Sequence, residues 1–170
     1  EFGIDIYLGE AAFEGEGKVS VGDQVLEYSK AVIATGARAV APPIEGLAEA
    51  GYLDNETVFS LTERPKRVAV IGAGPIGCEL AQSFQRLGSE VHILERMDQI
   101  LTREDPDAAK IVQDVLVREG VEMIFECAIE RVERRGDERV IHLSCPTKGA
   151  RELVVDAVSY THLTLPTSPK

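Results

Sequence analysis

Gly72, Gly74 and Gly77 fall in the spacing G-x-G-x-x-G, inside the stretch RVAVIGAGPIGCELAQSFQRLGSEVHILER that runs from residue 67 to 96. That pattern can hold a pyrophosphate. The first glycine permits a tight strand-to-helix turn, and the second omits the side chain that would keep a diphosphate from the backbone. The third lets helix and strand pack closely. A helix beginning there adds unpaired N–H groups and partial positive charge. Glu95 lies 18 residues beyond Gly77, where a carboxylate can accept hydrogen bonds from ribose hydroxyls. It would repel a 2′-phosphate, so NAD is favoured over NADP; the adjacent Arg96 weakens that preference without reversing it. Short glycine patterns arise by chance. Here an apolar strand precedes, an amphipathic helix follows and an acid ends the next strand, so dinucleotide binding outweighs a turn packed for structure alone. S-adenosylmethionine sites also use a glycine-rich turn and a ribose-binding acid, but the third glycine and the helix behind it fit a dinucleotide better. FAD turns share the same grammar and stay open as a competitor.

The elements that must position this turn are legible on both sides of it. RVAVIG reads as a strand. Ile76, Leu80, Ala81, Phe84 and Leu87 then share one helical face, which Gly88 closes. EVHILE reads as a second strand. Pro106 with Asp105 as N-cap starts another helix, whose apolar face holds Ala109, Val112 and Leu116 and which ends at Gly120. VEMIFE is a third strand. IERVERR, RVIHLSC and ELVVDAV alternate like an antiparallel excursion around the turn at Gly136-Asp137. Strand, helix, strand, helix, strand is the order of a parallel, doubly wound sheet. Upstream, IDIYLG, KVSV and KAVIATG read as short strands within residues 3–36. Residues 37–64, with Pro42, Pro43, Gly46 and Gly51, read as a connecting segment, with a domain boundary near Arg64–Pro65. Residues 159–170, SYTHLTLPTSPK, have neither period and read as a tail foreign to the fold.

Charge narrows the partners. The chain has 170 residues and a net charge of −11, but residues 1–64 hold 4 basic and 12 acidic groups, whereas residues 65–151 hold 13 and 15. The segment with the glycine turn is therefore near neutral, which suits an anionic cofactor. Nucleic acid is not expected, because clustered Lys and Arg are missing, aromatics make up 5% and Trp is absent. No apolar run approaches a membrane span, and the acidic start is no signal peptide. Cys78, Cys127 and Cys145 form no close pair; the expectation is a reducing, cytoplasmic setting with each cysteine a small buried hydrophobe. His142 and His162 have no catalytic context, and His92, within a strand, reads as a core or surface residue.

GAGPIGCELAQSFQRLGSEVHILER resembles the NAD(P)-binding domain of the flavin-dependent pyridine nucleotide–disulfide oxidoreductases, the family of dihydrolipoamide dehydrogenase, glutathione reductase and mercuric reductase. The flanks agree. IDIYLGEAAF is similar to the end of that family's first FAD-binding segment, and KAVIATGARAVAPPIEGL to its A-T-G motif and proline-rich linker. VEMIFECAIERVERRGDERVIHL is similar to the third strand and β-excursion of its NAD domain. The resemblance implies an α/β, Rossmann-like NAD(P)-binding domain over residues 65–158, with a parallel sheet and an antiparallel β-excursion. Strands from part of an FAD-binding domain precede it over residues 1–36. It implies that Gly72, Gly74, Pro75, Ile76 and Gly77 hold the NAD pyrophosphate, that Glu95 holds the adenosine ribose and that Ile129 borders the adenine. Glu79 corresponds to a glutamate at the nicotinamide–flavin contact, ion-paired to a lysine of the FAD domain. Ala11, Thr35 and Gly36 would touch FAD. Pro75 stands where several members have an aromatic gate over the nicotinamide.

The implied reaction passes a hydride from NAD(P)H to FAD, and electrons from reduced flavin to a disulfide or an equivalent acceptor. The parent would be a homodimer. Its first glycine turn and redox cysteines are expected before residue 1, and its dimerisation domain after this chain, so the chain is expected to be an internal fragment, inactive alone. A stand-alone NAD-sensing module is the alternative. A simple one-domain dehydrogenase fares worst, because no Tyr-Lys or His-Asp constellation accompanies the turn.

Overall fold

The computed structural model describes residues 3–36, 38–39, 42–146, 149–160 and 163–164, and the chain divides into two units, Glu1–Gly36 and Ala37–Lys170.

In the first unit, β1 (Ala11–Gly15), β2 (Lys18–Val21) and β3 (Gln24–Glu27) form an antiparallel meander. β2 confirms KVSV as a strand. IDIYLG and KAVIATG are not strands, and their Ile4, Ile6, Val32 and Ile33 are exposed. An apolar run becomes a strand only when neighbouring backbone satisfies its N–H and C=O groups, and among the described residues no strand pairs with either segment.

The second unit is built on a parallel sheet. β5 (Arg67–Ile71), β6 (Glu90–Glu95), β7 (Glu122–Phe125) and β11 (Ala157–Tyr160) lie in the order β11-β5-β6-β7. Two helices connect its strands: α2 (Pro75–Arg86) follows β5, and α3 (Pro106–Arg118) follows β6. The N-terminus of α3 is as the residues foretell, with the Asp105 carboxylate accepting from the Asp107 and Ala108 amides at 2.9 and 3.3 Å. β8 (Ala128–Arg135), β9 (Glu138–Cys145) and β10 (Gly149–Val155) form the antiparallel excursion between β7 and β11.

Alternation along β5 and β6 sorts the core into two layers. Val68, Val70, Val91 and Ile93 pack with Ala81 and Phe84 of α2 and Leu116 of α3. Ala69, Ile71 and Leu94 pack on the other face with Val132, Ile141 and Leu143 of the excursion. The parallel sheet is thus buried on both sides, as its nearly continuous apolar strands require.

Two sequence boundaries shift. The segment 37–64 is more than a connection: α1 (Leu47–Ala50) sends Leu47 and Ala50 into the core. Leu53 adds a parallel bridge to β11, donating to the Val158 carbonyl and accepting from Tyr160. At the far end, β11 continues through Tyr160, so Ser159 and Tyr160 complete the sheet rather than begin a foreign tail. Beyond them, β12 (Leu163–Thr164) pairs with β4 (Arg38–Ala39). Parallel pairing beside β5 supplied the order that residue pattern alone did not signal.

Candidate functional site

β5 delivers the glycine turn at the carboxyl edge of the parallel sheet, the edge where open α/β folds bind ligands. Gly72 has φ 95°, a left-handed conformation that a side chain would strain. Gly77 sits in the first turn of α2, and a Cβ there would collide with the Gly72 carbonyl oxygen. Gly74 differs: its φ is −72°, and a Cβ would meet nothing within 4 Å. Its missing side chain is not needed for packing. Pro75 occupies the first helical position, where its lack of an N–H costs nothing, and it is exposed, with Ile76 half-buried. The α2 start receives no side-chain cap, in contrast to α3. Its amide donors therefore face outward beside an unfilled position at Gly74, an arrangement suited to an anion.

Glu95, the last residue of β6, is folded back onto this turn. One carboxylate oxygen accepts from the Ala73 amide at 2.8 Å, and the other from Arg96 and Met97 at 2.7 and 3.1 Å. Three backbone donors hold the carboxylate aimed across the mouth of the turn. Leu101 continues the contact by donating to the Ala73 carbonyl at 2.8 Å. Glu79 is exposed on α2, two residues beyond Gly77. Cys78 is buried between these acids. Burial, with the Glu95 and Glu79 carboxylates nearby, pushes its thiol up to about 11, so it is not a nucleophile at neutral pH.

Ile129 lies in β8, half-buried against the core. It follows β7 closely, whose Phe125 is the register partner of Glu95. Ala11 begins β1, and Thr35 and Gly36 end the first unit, all three exposed. The structure thus gathers Gly72, Gly74, Pro75, Ile76, Gly77, Glu79 and Glu95 around one turn, and leaves Ala11, Thr35 and Gly36 in a separate unit.

The sequence profile of the family described as "Pyridine nucleotide-disulphide oxidoreductase" matches residues 1–161. The chain belongs to that family. Among relatives of this pyridine nucleotide-disulphide oxidoreductase chain, a mercuric reductase of Lysinibacillus sphaericus is 35% identical over 154 residues, 91% of the chain and 28% of the relative. A dihydrolipoyl dehydrogenase of Bacillus subtilis is 33% identical over 135 residues, 77% of the chain and 30% of the relative. The solved structure of the Cu(II) complex of the HOCl-induced flavoprotein disulfide reductase RclA from Escherichia coli superposes with a TM-score of 0.79 at 31% identity. It is matched over 94% of this chain and 36% of its own. The chain spans about a third or less of the length of these relatives.

Three features of this family member escaped the sequence. Cys127 and Cys145 are joined in a disulfide, which corrects the expectation that every cysteine is a lone buried hydrophobe; only Cys78 is one. Their separation of 18 residues carries no motif, and only the β8–β9 register brings them opposite each other. Arg67 anchors the other end of the sheet, donating to Asp156 at 2.6 Å and to Glu138 at 2.7 Å. The Arg67 guanidinium holds the Asp156 carboxyl below its ordinary range. His92 is buried in β6 within 3.3 Å of Glu90 and 3.2 Å of Glu122. His142 lies between Glu133 and Glu152. Both are surrounded by structural carboxylates away from the glycine turn, and His162 lies outside the described residues. Among the described residues no group of three His, Cys, Asp or Glu side chains could hold a metal, and no helix is long and apolar enough to cross a membrane.

Proposed function

We propose that the chain is the NAD(P)-binding portion of an FAD-dependent oxidoreductase that moves a hydride between NAD(P)H and FAD, and electrons between that flavin and a disulfide or similar acceptor. The observation that carries this reading is the hydrogen bond from the Ala73 amide to Glu95 at 2.8 Å. It joins the phosphate-type turn and the ribose-type acid into one preformed surface. The open position at Gly74 and the uncapped start of α2 fit a pyrophosphate there. NAD(P)H would supply the hydride and FAD would accept it.

The chain's own residues do the positioning. Gly72, Gly74, Pro75, Ile76 and Gly77 present backbone amides to the pyrophosphate, and Glu95 accepts from the adenosine ribose. The carboxylate disfavours a 2′-phosphate, so NAD(H) is the preferred nucleotide over NADP(H). Ile129 borders the adenine from the strand after Phe125. Glu79 faces the nicotinamide end, where a lysine of the FAD domain would neutralise it. Ala11, Thr35 and Gly36 contribute to FAD binding, and the parent is a cytoplasmic homodimer completed by FAD and dimerisation domains. We assign residues 1–36 to the FAD segment and, in place of the expected 65–158, residues 65–160 to the nucleotide domain, because Ser159 and Tyr160 complete its sheet. The genomic sequence upstream of Glu1 tests this reading. A glycine turn followed by two cysteines with four or five residues between them is expected, and its absence would sink the disulfide reductase reading.

A stand-alone NAD-sensing module is the second reading, and β11 favours it, because residues of this chain complete the parallel sheet. Limited proteolysis separates the two. Rapid cleavage throughout the chain supports the fragment, and protection through Tyr160 supports the module.

A further inference from the structure

We propose that Cys127 and Cys145 form a second thiol–disulfide couple, one that exchanges electrons with small dithiols and sets how tightly the adenosine end of the nucleotide is held. The inference rests on the nucleotide reading above. Ala128 and Ser144 are register partners in the β8–β9 ladder, and the disulfide-bonded Cys127 and Cys145 are their immediate neighbours in sequence. Their Cα atoms are 4.3 Å apart, close to the spacing of a non-hydrogen-bonded cross-strand pair. Strand register alone therefore keeps the sulfurs adjacent, so the bond can break and re-form without a change of fold.

The couple also reaches the site. Cys127 follows Glu126, a residue held at φ 57°, whose amide donates to the Met97 carbonyl at 3.2 Å. The Met97 amide in turn donates to Glu95 at 3.1 Å. Met97 is thus pinned from both sides: one hydrogen bond leads to the ribose-type acid and the other to the residue beside the disulfide. Ile129 lies two residues beyond Cys127. With the bond intact, the Glu126–Ile129 corner is tied to the end of β9. With it broken, the β8–β9 ladder still holds Ala128 and Ile129, and the loosening falls on Glu126 and its hydrogen bond to Met97, through which Glu95 loses part of its orientation.

Reduction by a dithiol balances in two exchanges. A thiolate of the dithiol attacks one sulfur, the Cys127–Cys145 bond breaks, and the departing sulfur takes up a proton. The second sulfur of the dithiol then displaces the other cysteine as a thiol and leaves as a cyclic disulfide. Two electrons and two protons pass from the dithiol to the pair. At 8% and 5% exposure the sulfurs are reached only when the corner opens, so bound nucleotide slows the exchange. Because the intact bond keeps Glu95 oriented, the oxidised form is the tighter binder, and by linkage bound nucleotide shifts the couple toward the disulfide.

The test uses the 170-residue chain, prepared without reductant and after dithiothreitol. Denatured without reductant, the chain should show one reactive thiol, Cys78, and after reduction all three of its cysteines. NADH fluorescence titration should give an affinity about fivefold weaker in the reduced form, restored on reoxidation. A Cys127→Ser/Cys145→Ser double variant should bind like the reduced form and ignore dithiothreitol. Three thiols before reduction would overturn the pairing, and equal affinities in the two states would overturn the coupling. Absence of NADH binding in both states would overturn the nucleotide reading and the coupling with it, while the thiol count would still report on the pair.

Discussion

At the scale of single residues, the three glycines of the turn do different jobs, and substitutions should separate them. Gly77 is a packing glycine: a Cβ there meets the Gly72 carbonyl oxygen within an already close helix–strand contact. Gly77→Ala should lower stability by about 2–3 kcal/mol, read as a drop in the denaturant midpoint. Gly74 has ordinary φ and open space around its missing side chain. Gly74→Ala should therefore leave that midpoint unchanged within about 0.5 kcal/mol while weakening NADH binding at least tenfold. If both variants lost stability equally, the turn would be a structural device only. The turn and the packing of Gly77 were legible in the sequence because the glycine spacing, the strand before it and the acid after it test one another. Glu95 was also legible as the acid, but its three backbone donors were not, since they depend on how the chain turns after β6.

Elements carry a second set of expectations. The N-cap of α3 was readable from Asp105-Pro106, and Asp105→Ala should cost about 1 kcal/mol of stability in urea unfolding. Less readable was the clamp at the amino end of β5, where Asp156, part of the segment joining β10 to β11, meets Arg67 across 89 residues of sequence. Its carboxyl is held below the usual range by Arg67. A lowered folded-state value means that this contribution is complete above the ordinary carboxyl value near 3.8 and is lost as pH falls through that region and below. Asp156→Asn should cost about 1–3 kcal/mol at neutral pH and make the acid-side decline of stability shallower. An unchanged slope between pH 5 and pH 3 would remove Asp156 from the account. The elements that pattern missed share a cause. Leu53, Ser159 and Tyr160 are ordered by a parallel neighbour distant in sequence, and IDIYLG lacks such a neighbour among the described residues. Periodicity reports burial on a face; it does not report which edge is available.

For the molecule as a whole, family membership and the α/β architecture agree between residues and structure, and the disulfide is the largest surprise. Closing a loop between residues 127 and 145, it should stabilise the second unit by about 3 kcal/mol, seen as a lower melting temperature in dithiothreitol. A melting temperature indifferent to reductant would contradict that. Above all, this chain is proposed to hold NAD(H) at the Gly72–Gly77 turn, against Glu95. Nicotinamide fluorescence titration of the purified chain tests it most directly, with NADPH and the Gly74→Ala variant run beside NADH. A saturable change with NADH at a dissociation constant of about 1 mM or below is expected, with weaker binding of NADPH and loss of the signal in the variant. No saturable change at millimolar NADH, or a change that Gly74→Ala leaves intact, would contradict it.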